Sequence, residues 1–157
     1  MTELHDFFSA SVGAAAAFIG LLFVAVTLAP HRVFGTEANP RRRAEATQAF
    51  VALGNVFFVS LSALIPGSGL TVILVIAIFS VSQLLYEVRA SARIHTLRNV
   101  LFGFGAVSLG IYVAEFIIVL RILIYGTGFQ GLVWVVFGLY AYALATSWRI
   151  LRAGELG

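Results

Sequence analysis

The chain contains no cysteine, and that absence excludes disulfides, thiolate metal sites, iron–sulfur ligation and cysteine nucleophiles. It contains no lysine either, so Schiff-base chemistry on a lysine amine is also excluded. Charge of either sign is scarce: 11% of the 157 residues are charged, against 61% hydrophobic. A surface so poor in charge does not keep a soluble domain dissolved, and the mean hydropathy of +1.00 agrees. The composition predicts a single membrane domain over residues 1–157. Its net charge of +3 points to anionic lipid headgroups as partners and away from nucleic acid.

Catalytic patterns are missing as well. His5, His31 and His95 lie at span ends or in loops, where no two face each other inside a bundle as a membrane haem requires. There is no HExxH, no GxSxG, no phosphate loop and no second intramembrane acid to build a metal cage or a carboxylate pair. These absences predict a protein that is not an enzyme, with no catalytic residues, no metal and no cofactor. The glycine-rich turns lack the TVGYG pattern of a potassium filter.

What is present is a set of apolar runs long enough to cross a bilayer as helices. We read an all-α integral membrane fold with five transmembrane helices, over residues 7–29, 49–65, 70–86, 100–124 and 129–150. The first run follows Glu3, His5 and Asp6 rather than a basic segment, unlike a cleavable signal peptide. Asn39-Pro40 reads as an N-cap and a first-turn proline ahead of the second span. PGSG joins the second and third spans, and GTG joins the fourth and fifth, so the order is one helix plus two hairpins. Ser9, Gly13, Ala16 and Gly20 form a small-residue stripe suited to tight packing. Glycines seven apart (Gly13 and Gly20, Gly103 and Gly110, Gly131 and Gly138) favour close packing of three helices. Asn55 and Gln83 are placed to hydrogen-bond across helices. Trp148 and Tyr86 fit one aromatic belt; Phe7, Phe8 and Tyr125 fit the other.

Arginine sets the orientation. With five spans, Arg32, Arg41, Arg42, Arg43, Arg89, Arg93, Arg98, Arg149 and Arg152 share one side, and Arg121 alone lies at the other. The positive-inside rule then puts the N-terminus outside and the C-terminus in the cytoplasm. Arg41, Arg42 and Arg43 occupy the first turn of their helix, where the dipole disfavours cations, so anionic lipid headgroups are the expected compensation.

The central stretch is NVLFGFGAVSLGIYVAEFIIVLRILIY, from Asn99 to Tyr125. Glu115 lies ~4.5 Å from the middle of this span, too deep to snorkel, whereas Arg121 at ~13 Å reaches the headgroups. Leu101, Ser108, Tyr112, Glu115 and Val119 share one flank; Gly103, Ala106, Gly110, Ala114 and Arg121 share roughly the opposite one. A central charge costs at least ~2.5 kcal/mol in lipid, so the acid flank calls for protein neighbours.

The opening DFFSASVGAAAAFIGLLFVAVTLAP resembles the first span of a family of uncharacterised bacterial inner-membrane proteins, some of them named as modulators of a membrane-bound protease. The resemblance implies a bacterial cytoplasmic (inner) membrane and a regulatory role, and it assigns no site residue.

Two functions fit these readings. The first is a small homo-oligomeric ion or proton pathway, a channel with Glu115 as its intramembrane acid, Ser108 and Tyr112 lining the same flank and Arg121 tuning the outer mouth. Such a pore would form at a symmetry axis. The second is a non-conducting accessory or regulatory subunit of a larger membrane complex, with Glu115 held by Asn55 or a tyrosine.

Overall fold

The computed structural model describes residues 2–28, 40–65, 72–75, 78–79, 81–82, 98–126 and 129–152. Four long helices dominate: α1 (Thr2–Leu28), α2 (Pro40–Ala63), α3 (Arg98–Tyr125) and α4 (Phe129–Arg152). The described residues of the expected third span, 72–75, 78–79 and 81–82, are helical too, and no strand occurs among the described residues. Each long helix contains a segment long and apolar enough to cross a membrane. This all-helical content follows from the solvent: in hydrocarbon a backbone must satisfy its own N–H and C=O groups, and a helix does so within one segment.

Local signals set the helix ends. Pro40 opens α2, where its missing N–H is one of the donors a first turn leaves unpaired anyway. At the other end the turn tightens, with the N–H of Leu64 and Ile65 donating to the carbonyls of Leu61 and Ser62 at 3.1 Å. Gly126 ends α3 at φ +66° and donates to the Ile122 carbonyl at 2.8 Å, the left-handed cap that glycine adopts without a Cβ penalty.

α2 packs against α1 and α4, and α3 packs against α4. Contacts along α4 fix the directions of its neighbours. Gly131 meets Ile118 and Gly138 meets Ile111, so α3 runs opposite to α4. Phe7 meets Phe137 and Phe18 meets Tyr140, so α1 runs with α4. Glu45 meets Arg149 and Gln48 meets Tyr142, so α2 runs opposite to α4 and alongside α3.

The α1 face buried in this arrangement carries Phe8, Ser11, Ala15, Leu22 and Val26, at the three- and four-residue spacing of a helix seam. Two packing expectations change as a result. Ser9, Gly13, Ala16 and Gly20 lie on the exposed side of α1, and a Cβ added at Gly13, Gly20 or Gly110 would meet nothing within 4 Å. Among the described glycines, Gly131 is the tight one, with Ile118 3.1 to 3.3 Å from where its Cβ would stand, and Gly138 is in ordinary contact with Ile111 at 3.9 Å; the surroundings of Gly103 lie outside the described residues. Periodicity identified a small-residue face on α1, but the face of Phe8, Ser11, Ala15, Leu22 and Val26 is the one that turns inward. Phe8 likewise leaves the aromatic belt for the core at 3% exposure, while Tyr125 and Trp148 are exposed at helix ends and Trp134 joins them. Tyr86, Gln83 and Asn39 lie outside the described residues.

Candidate functional site at Asn55 and Glu115

Residues 48, 55 and 62 of α2 are two helical turns apart and therefore share a face. Gln48, Asn55 and Ser62 stand there, all buried, and buried polar side chains in a membrane need partners from other helices. The partners come from every side. The Arg149 guanidinium donates to Glu45 Oε1 at 2.7 Å, and the Tyr142 hydroxyl donates to Gln48 Oε1. Asn55 Nδ2 donates to Glu115 Oε2 at 2.7 Å. Ser60 Oγ donates to Ser11 Oγ at 3.0 Å. The Tyr140 hydroxyl donates to the Ser11 carbonyl at 2.7 Å, which leaves Ser11 Oγ as the donor in its 3.3 Å contact with Tyr140. From Glu45 to Ser60 this column covers ~22 Å, most of a hydrocarbon core about 30 Å thick.

Within this column Glu115 is 0% exposed. Ser108, Tyr112 and Val119 share its buried face on α3, the flank the sequence pattern predicts. Arg121 does not join them: six residues further on it has turned to the exposed side of α3. The pair itself is half satisfied. Glu115 Oε1 and Asn55 Oδ1 are both buried with no hydrogen-bond partner among the described residues. Both are acceptors when Glu115 is ionised, so neither can serve the other without an added hydrogen.

Arg41, Arg42 and Arg43 begin α2 as expected, but their side chains lie outside the described residues. No cluster of three metal-ligating side chains occurs among the described residues.

Of the column, Asn55 and Glu115 are marked by the sequence pattern, whereas Ser11, Glu45, Gln48, Ser60, Tyr140 and Tyr142 are functional-site residues that the pattern above does not mark. The seven-residue recurrence of Gln48, Asn55 and Ser62 was the available signal, as were two tyrosines deep inside the last apolar run.

This combination of long apolar helices and an internal polar column defines a multi-pass helical membrane protein. Beyond that class, no family model, curated protein or solved structure matches the chain.

Proposed function

We propose that this chain is a non-conducting accessory or regulatory subunit of a membrane assembly, in which the Asn55 and Glu115 pair is an internal clasp between α2 and α3. The observation that carries this reading is that Glu115 is wholly covered by its own chain and held by Asn55. An acid that lines a pore at a symmetry axis is open on the axis side, and this one has no open side. The resemblance of the first span to bacterial inner-membrane proteins supports the regulatory role and the cytoplasmic membrane. Purified protein in liposomes is expected to pass no protons, sodium, potassium or chloride. A flux that Glu115→Gln abolishes while the variant still folds would overturn the reading.

One observation favours the alternative, an ion or proton pathway through Glu115, Ser108 and Tyr112 with Arg121 outside. It is the pair of bare oxygens, since a buried site with two free acceptors suits a transient proton. The same flux assay separates the two readings.

The arginine distribution supports an outside N-terminus, five crossings and a cytoplasmic C-terminus. A cysteine at Ser68 or Thr127 is expected to react with an impermeant reagent in intact cells, and one at Thr36 is not. Arg41, Arg42 and Arg43 are proposed to hold anionic headgroups, so their joint replacement by glutamine is expected to reduce co-purified anionic lipid.

A further inference from the structure

We propose that α1 of one copy of this chain docks against α3 of a second copy, head to tail, through the small-residue faces that neither helix uses inside its own chain. On α1 the outward face carries Asp6, Ser9, Gly13, Ala17 and Gly20, all exposed, within ~40° of one line along the helix. On α3 the outward face carries Gly110, Ala114 and Arg121, exposed in turn. Gly13 and Gly110 have open space where a Cβ would stand. Each face therefore presents a pair of small residues four apart, Gly13 with Ala17 and Gly110 with Ala114, the spacing that lets two membrane helices bring their backbones together.

Charge says which face meets which. α1 and α3 run in opposite directions, so Asp6 near the start of α1 and Arg121 near the end of α3 stand at the same end of the fold. Arg121 makes no ion pair or hydrogen bond among the described residues, and Asp6 has only His5, itself exposed, at 3.8 Å. The spacings then agree residue for residue. Asp6 to Gly13 is seven residues and Arg121 to Ala114 is seven, about 10.5 Å on each helix. Asp6 to Ala17 is eleven and Arg121 to Gly110 is eleven, about 16.5 Å. An Asp6–Arg121 pair therefore sets Gly13 against Ala114 and Ala17 against Gly110 in one register. Two α1 faces would instead oppose acid to acid, and two α3 faces arginine to arginine.

Within one chain, α1 packs on α2 and α3 on α4, and both small-residue faces are exposed, so a copy that docks on one leaves the other free. The contact is heterologous, and repeating it closes a ring when the rotation closes. This interface stands apart from the Glu115 clasp and holds whether or not the protein conducts.

Because the chain has no cysteine, every introduced thiol is unique. The full chain carrying both Gly13→Cys and Ala114→Cys, in lipid vesicles under mild oxidant, is expected to give a ladder of dimers, trimers and larger covalent species. Gly13→Cys alone, and Ala14→Cys with Ala114→Cys, are expected to stay monomeric. Asp6→Arg or Arg121→Asp added to the cross-linking pair is expected to lose the ladder, and the two together to restore it. No ladder overturns the proposal, as does self-cross-linking of Gly13→Cys alone, which marks a two-fold α1 contact. Should a variant fail to fold, the mass of the wild-type chain in native nanodiscs still decides. A monomer with lipid on these faces, or a complex with a different protein only, overturns it.

Discussion

α1 and α2 are neighbours of similar length with opposite habits. α1 is the more apolar, yet only 17% of its spanning segment is buried, against 56% for α2. In water the apolar helix would be the hidden one. In a bilayer the lipid accepts Leu21, Phe23, Val24 and Leu28 at no cost, so apolar surface gives α1 no reason to hide. What draws a helix inward is polar groups that lipid cannot serve, and α2 carries Gln48, Asn55, Ser60 and Ser62. Burial here tracks polarity.

Substitutions at four positions test that contrast, from the position with the largest expected effect to the smallest. Glu115→Leu strands the Asn55 amide in the core and is expected to cost about 1–3 kcal/mol of stability in detergent melts. Glu115→Gln is expected to cost far less, because a carboxamide accepts from Asn55 Nδ2 and also offers an N–H to the bare Asn55 Oδ1. Equal losses for Leu and Gln would show that charge, not hydrogen bonding, holds α2 in place. Gly131→Val pushes against Ile118 and is expected to cost about 1–2 kcal/mol by overpacking. Ser60→Ala removes the hydrogen bond to Ser11, and with it about 0.6 kcal/mol. Gly13→Val meets open space and is expected to leave the melting of the isolated monomer unchanged within about 0.5 kcal/mol. A loss at Gly13 equal to that at Gly131 in monomeric protein would erase the distinction between the two helices.

The sequence disclosed the helices and the buried flank of α3 because both are local: apolar run length and a 100° step are enough to place Ser108, Tyr112 and Glu115 together. Pairing is not local. Asn55 and Glu115 are 60 positions apart and Gln48 and Tyr142 are 94 apart, and no periodicity links such distances. The small-residue faces misled for a related reason. A glycine stripe states that close packing is available, and leaves open whether the neighbour belongs to the same chain. Phe8 against Phe7 shows the limit at single-residue scale, since adjacent aromatics at a helix start differ by 100° and only packing decides which turns inward.

The polar column on α2 also has a consequence in time. Its partners Glu115, Tyr142 and Arg149 all follow it in the chain, so α2 is synthesised before anything exists to receive Asn55, Gln48 or Glu45. At about 5–20 residues per second, the stretch from Gln48 to Tyr142 takes roughly 5–20 s to emerge from a ribosome. Until α3 and α4 follow, the contact that α2 makes with earlier chain among the described residues is its packing on α1, with the Ser60 to Ser11 hydrogen bond. A nascent chain stalled before residue 115 therefore lacks the carboxylate that the Asn55 amide binds in the finished fold.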